Sequence, residues 1–504
     1  MPSPPPSPPV LVTPSPGALV PLPSTVALHP GATATVAVSG ANGAVTVTVQ
    51  QGLVTATVTA PSNSITVNAT QRTGSDVLHV TDAAGDAVDV PVRVAQDAGT
   101  IPAALTLKVT GSAIDPRWLA SQIVSFVTRN LTLQPGAQAS IAPIVAPSIP
   151  PSGGTIAMNV PVAIAGGSDY FDVGGSASVE VRNVAVDPLS APTLYYDDDP
   201  ERVVASGTIY RASVAADSAA RLYYYHDGGV DRLDLAVVLT AQAPASVQVI
   251  DASAGPNLDV MSVGISVTRS FLLMNPRGEG IVVDLDAGSP YVLHDFALSS
   301  KAGVAGSVGL QVLSGGPVTV TVLSVAPGVD PLTMLNAPPV AGDGHHRTGA
   351  FAIQNFGTQS LAYVAGGADV KSVFGDRDVT PPNVDPNAAG HDYGDYGVLQ
   401  TFLFSLVNPT STPVTAYLYE RPLGGIVRSS FLVDGNLEDV GCVRVPVPYQ
   451  IAAFTLAPGG RYQSTVTTMT DGGSNYPVEI GMTSTPPLPT APPISSPQGC
   501  FPKS

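Results

Sequence analysis

The stretch TATVAVSGANGAVTVTVQQGLVTATVTAPSNSITVNAT, residues 33–70, alternates Val, Ile or Ala with Thr and breaks at Gly, Asn and Pro. Successive strand side chains point to opposite faces, so a period of two describes strands that are half buried and half solvated. DVLHVTD (76–82) and VDVPVRVA (88–95) extend the pattern. Runs recurring about every ten residues with turn residues between them are the signature of a β-sandwich.

The composition of all 504 residues agrees. Charged residues make up 12% of the chain, and Gly and Pro number 50 each. Both residues are costly inside helices and useful in the turns between strands. Of 38 acidic residues only six are Glu, and of 21 basic residues only four are Lys. The helix-favouring charged residues are therefore scarce, while Asp, a turn and cap residue, is common. The fold class expected is mainly β: tandem Ig-like β-sandwich domains, one small α+β module and Pro-rich termini.

The domain reading follows composition along the chain. Residues 1–24 hold ten prolines and no charged side chain, which describes an extended spacer. Residues 25–97 form the first Ig-like sandwich. Residues 98–192 form the α+β module, with a helix near 116–129: Asp115 caps it, Pro116 takes its first position, and Leu119, Ile123, Phe126 and Val127 share a face. Trp118, the single tryptophan, reads as part of that core.

Residues 193–340 form a second sandwich with a helix near 260–274 crossing one end, from apolar residues at 260, 263, 267, 271 and 274. Residues 341–484 form a third sandwich, and 485–504 a Pro-rich tail.

HPGATATVAV followed by a closing VPVRV strand resembles the bacterial Ig-like domains of surface proteins. The stretches YYDDDPERVVASGTIYRAS, ARLYYYHDGG, LSGGPVTVTV, NVDPNAAGHDYGDYGV and TDGGSNYPVEI, spread over about residues 195–480, resemble domains of uncharacterised bacterial exported proteins. The first resemblance implies a β-sandwich at a cell surface; the second implies no activity.

A net charge of −17 without any Lys/Arg cluster disfavours nucleic acid and anionic membranes as partners. No apolar run reaches the 18 or so residues of a transmembrane helix. Cys442 and Cys500 are expected to form a disulfide, and with the low Lys and Glu content this favours an extracytoplasmic location.

Candidate chemistry sits in loops. GDRDVTPPNVDPNAAGHDYGDYG (375–397) holds Asp376, Asp378, Asp385, Asp392 and Asp395, hard ligands for calcium, with His391 as a further candidate metal ligand. Counted from Asp376, however, an EF-hand meets Pro381 where Gly is required and Asn387 where a bidentate Glu is required. Turn chemistry is the simpler reading. YYDDDPER (195–202) is a second acidic run that suits a linker or a calcium ion. GDGHHRTG (342–349) offers His345 and His346, which diverge on extended backbone and need His391 or His226 to complete a transition-metal site. Tyrosines in LYYYHD, LYYDDD, DYGDYG and AYLYE suit sugar stacking or interface contacts.

No G-x-S-x-G elbow, P-loop or paired Glu residues point to catalysis. The function expected is a non-enzymatic, extracytoplasmic structural or binding protein without a resident cofactor, meeting a surface polymer or protein partner. A carbohydrate-binding or adhesive protein is the first alternative. A calcium- or metal-dependent hydrolase using His391 or Asp392 is the second.

Overall fold

The computed structural model describes residues 18–145, 148–353, 356–384, 391–489 and Cys500. The chain is mainly β and divides into two compact units. One is built from the described residues of Met1–Leu107, Pro116–Ser148 and Ile156–Glu180, the other from those of Lys108–Asp115, Ile149–Thr155 and Val181–Ser504.

The first unit contains the sandwich of residues 33–70. One sheet runs in the order Val20–Leu22, Thr33–Ser39, Ser64–Ala69 and Val54–Thr59; the other runs Val26–Leu28, Ala87–Val94, Gly74–Thr81 and Thr46–Val49. The alternation places Val36, Ile65, Val67, Leu78, Val80 and Val90 in the core at zero exposure. Val20–Leu22 pairs antiparallel with Thr33–Ser39, so strand pairing reaches back into the stretch expected as a spacer. Residues 1–17 lie outside the described residues.

Helix α1 (Pro116–Arg129) buries Leu119, Ile123 and Val127 and packs on the strand Gln138–Ile141. Trp118 is half-buried.

The second unit holds two sandwiches. In the first of them, a sheet runs Gly280–Leu285, Ala245–Asn257, Gly303–Gly315, Ala219–Gly228, Thr193–Asp197 and Thr348–Ala352. The facing sheet runs Gly207–Val214, Val318–Val325, Arg232–Ala241 and Tyr291–Ser299. Their shared core includes Leu222, Tyr224, Val237, Val247, Val308 and Val320. Thr348–Ala352 pairs with Thr193–Asp197; it thus completes this sandwich rather than opening the next, as the boundary at 341 had it.

The last sandwich packs the sheet Thr358–Val364, Leu399–Val407, Arg461–Met469, Ile426–Val433 and Asn436–Arg444 on the sheet Val370–Phe374, Val478–Thr483, Val414–Pro422 and Tyr449–Leu456. Phe402, Phe404, Leu418, Phe431 and Ile480 form its core at zero exposure. Cys442 is disulfide-bonded to Cys500, with Cα atoms 5.5 Å apart.

Helix α2 (Val260–Met274) is N-capped by Asp259, whose side chain accepts from the Ser262 N–H. It does not cross the end of one sandwich. It lies between two, packing on Ala245–Asn257 and Gly303–Gly315 on one side and on Ile426–Val433 and Arg461–Met469 on the other. The reason is a second apolar stripe: Met261, Ile265, Thr268 and Leu272 are buried as well as Val263, Val267, Phe271 and Met274. A helix apolar on two faces must be covered on both.

Candidate functional site

The site starts from two strands. Thr193–Asp197 runs parallel to Ala219–Gly228, with Tyr196 beside Tyr223 and Asp197 beside Tyr224. Alternation sends Leu222 and Tyr224 into the sandwich core, and therefore sends Arg221, Tyr223 and Tyr225 to the opposite face, where α2 packs. There the Arg221 guanidinium stands 5.1 Å over the Phe271 ring of α2.

Beside it opens a cleft of about 390 Å³, walled by Tyr196, Tyr223, Tyr225 and Tyr396 and by Asp198, Glu201, Asp227 and His346. Its floor carries Gly472, Gly473 and Ser474 from the last sandwich.

Hydrogen bonds fix the walls. Tyr196 donates its hydroxyl to Asp198 Oδ2 (3.1 Å) and stacks on Tyr223 with centroids 6.0 Å apart. The Gly472 N–H donates to the Tyr223 hydroxyl (2.6 Å), and Tyr396 donates to the Ser474 carbonyl (3.1 Å). Ser474 donates its own hydroxyl to the Arg428 carbonyl (3.2 Å). Two glycines are required here by close approach. A Cβ on Gly472 would fall 2.2 Å from the Tyr225 ring, and one on Gly397, at φ +76°, would fall 2.6 Å from the Tyr223 ring.

The rim is held by acids. Asp343 accepts the N–H groups of His345 (2.8 Å), His346 (2.9 Å) and Glu201 (3.1 Å). These bonds outweigh the upward push of burial and hold its carboxyl well below the usual range. His346 bridges Asp343 through Nδ1 (2.7 Å) and Glu201 through Nε2.

Fully buried His226 pins the acidic run from below, with Nδ1 on the Pro200 carbonyl (2.9 Å) and Nε2 on Asp197 Oδ2 (3.1 Å). Burial works against a charged His226 ring, but Asp197 and the Pro200 carbonyl raise its pKa overall. Burial, then the nearby Glu201, pushes Asp198 well above the carboxylate range and Asp227 up to about 6.

Among the residues foreseen as metal ligands, Asp392 feels the charge of Asp395, and Asp395 that of Asp376. Asp376 accepts the Asp378 N–H (3.1 Å) in a local turn, and exposed His391 meets the Thr380 hydroxyl at 3.4 Å. Asp392 is fully buried; it accepts the Tyr396 N–H (3.0 Å), and Arg221 is the cation that acts on it. Asp395, 2% exposed, accepts from the Gly375 N–H (3.1 Å) and Gln400 (3.2 Å). Asp385 lies outside the described residues. Among the described residues no three His, Cys, Asp or Glu side chains come together as a metal cage.

From the loop at 391–397, Tyr396 lines the cleft. From the sequence, YYDDDPER and GHHR read as a linker and a loop, DYGDYG as part of a loop or metal site, and ARLYYYHD as a strand, each by itself, and DGGSN carries no role. They meet in one place. Sequence alone had no signal for this, because Tyr223 and Gly472 are 249 positions apart.

No protein-family model matches the chain, and no curated protein matches it. Solved structures that the chain matches include SGBP-B of the Bacteroides ovatus mixed-linkage glucan utilization locus, solved in complex with a mixed-linkage heptasaccharide. It is 10% identical over 59% of this chain and 73% of that one, at TM-score 0.12. The Yersinia pseudotuberculosis adhesin InvE is 12% identical over 61% and 58%, at TM-score 0.14. The FN1–FN3 domains of chicken CNTN1 are 12% identical over 61% and 98%, at TM-score 0.13. Scores this low carry nothing about the fold of this chain or what it binds.

Proposed function

We propose that the chain is a non-enzymatic, extracytoplasmic binding protein whose β modules carry a binding site at the tyrosine–carboxylate cleft. The observation that supports this reading is the convergence of five segments, two of them strands, from both sandwiches of the second unit on one cleft. Segments without a shared role have no physical reason to form one wall, and to require glycine where aromatic rings approach. A role without chemistry is supported by the commitments of the groups there. Both His346 nitrogens are held by carboxylates, and the Ser474 hydroxyl is spent on a carbonyl. The Cys442–Cys500 bond supports an oxidising compartment.

Carbohydrate binding is the second reading, from tyrosines set beside carboxylates. It ranks lower because Tyr196, Tyr223 and Tyr225 are at most 6% exposed, which leaves little ring face for a sugar to stack on.

The test is retention of the full chain on arrays of surface polysaccharides and surface proteins, alone and as Tyr396→Ala. Retention lost in the variant at an unchanged melting temperature is expected. Equal retention by both forms, or release of cleaved product, would overturn the proposal.

A further inference from the structure

A second cavity, of about 300 Å³, opens beside the turn that ends α2. Its lining residues all belong to the second unit, and none is shared with the tyrosine–carboxylate cleft. Alternation along the sheet explains its floor. Val247, Val249, Val308 and Leu310 point into the sandwich core, so Gln248, Ile250, Gly309 and Gln311 face outward. Hydrogen bonds pin the walls. Gln311 holds the segment 184–191, donating to the Asp187 carbonyl (2.8 Å) and accepting the Leu189 N–H (3.0 Å). Thr110 and Gln248 hold the turn, both donating to the Gly278 carbonyl (2.6 and 3.2 Å).

Three residues are hard to explain without a guest. Gly309 lies inside a strand, where glycine costs stability. Neither backbone nor space requires it: its φ lies outside the left-handed region, and an added Cβ would meet only Ile250, at 3.4 Å or more. A larger side chain there would fill the cavity that glycine keeps open. Gln248 is 5% exposed, with its amide N–H groups spent on Thr110 (2.8 Å) and Gly278. Among the described residues its Oε1 accepts no hydrogen bond, yet that oxygen is not shielded from solvent. It therefore opens into the cavity the residue lines. Arg277, half-buried, is the one charged residue of the described lining. Its guanidinium donates no hydrogen bond among the described residues and meets Glu279 only at 3.9 Å.

We propose that this cavity binds the C-terminal residue of a peptide chain when that residue is apolar, with its carboxylate on Arg277, its amide N–H on Gln248 Oε1 and its side chain against Val184, Leu189 and Ile250. The fit is one of charge and donors. A guanidinium matches a carboxylate through two parallel hydrogen bonds, and no acid in the described lining competes for it. An N–H is what the unspent amide oxygen lacks. A free amino acid fits less well, because its ammonium would lose water without gaining a counter-ion. The volume stands at the small end of ligand pockets, roughly 300–1,000 Å³, which suits one residue and its end group. Leu189, 46% exposed, gains cover from an apolar guest.

Calorimetric titration of the full chain tests this with acetyl-Gly-Leu, its C-terminal amide and free leucine. The acid is expected to bind, and the amide about ten-fold to a hundred-fold more weakly, as befits a lost charged hydrogen bond. In Arg277→Gln the acid is expected to fall to the level of the amide. Gly309→Val is expected to abolish binding while its melting temperature holds or rises, since a β-branched residue suits a strand. No heat from the acid overturns the proposal, as do equal affinities for acid and amide, or binding unaltered in Gly309→Val. Free leucine bound as tightly as the acid overturns the choice of a chain end. If either variant melts early, the comparison of acid with amide on the unaltered chain still decides.

Discussion

Two acids below the cleft make the second unit sensitive to pH. Asp471 and Glu420 are both fully buried, and burial pushes them up to about 8 and about 7. Asp471 also feels Glu420, which raises it further, and Ser474, Arg428 and Thr268, which partly offset the rise. In the unfolded chain both ionise near pH 4. The folded state therefore holds more protons between about pH 4 and about pH 8, and stability falls as pH rises through that window. The melting temperature should be higher at pH 5 than at pH 9, and calorimetry across that range checks it. In Asp471→Asn the slope should flatten, with a gain on the order of 1 kcal/mol at the alkaline end. A melting temperature that climbs with pH would contradict the assignment. Nothing in TDGGSNYPVEI announces this, since the flanking glycines read as a turn; burial comes from α2 and the strand Ile426–Val433, both remote in sequence.

Among the elements, α2 is where packing overrides propensity. Replacing glycine by alanine in an exposed helix gains roughly 1 kcal/mol. At Gly264 the added Cβ would stand 2.0 Å from the Gly472 carbonyl oxygen and 3.2 Å from Asp471 Cβ. Backbone cannot yield as a side-chain end can, so Gly264→Ala is expected to destabilise by about 1–3 kcal/mol, the usual cost of overpacking. Urea unfolding of the variant gives the number, and a gain in stability would refute the close approach. Strands were legible because alternation is a local property of residues 33–70 and their like. The position of α2 was half legible: its stripe at 260, 263, 267, 271 and 274 marks a helix, and the unremarked stripe at 261, 265, 268 and 272 marks a second covered face. Thr348–Ala352 was assigned to the wrong sandwich because a strand's sequence records its burial and not its neighbour.

At the scale of the whole molecule, the C-terminus is tied back by one covalent link whose consequence depends on where it lands. Cys442 sits on an edge strand of the last sandwich, and Cys500 is buried against Met261 of α2 and Ile426. The bond spans 58 positions, and closing a loop of that size contributes roughly 4 kcal/mol by constraining the unfolded chain. Packing adds to it, because Cys500 covers the first turn of α2, the same turn through which Ser262 receives a hydrogen bond from Arg428 and Asp259 pairs with it at 3.6 Å. Reduction should therefore lower the melting temperature of the second unit and leave that of the first unchanged, since the first contains no cysteine. Two transitions in a calorimetric scan, with only one moved by reductant, is the expected result. Reductant should also weaken whatever the cleft retains, because Val260, at the start of α2, lines it. A Cys442→Ser/Cys500→Ser double variant separates the two effects: if it melts early yet retains ligand at low temperature with unchanged affinity, the covalent link stabilises the unit without shaping the cleft.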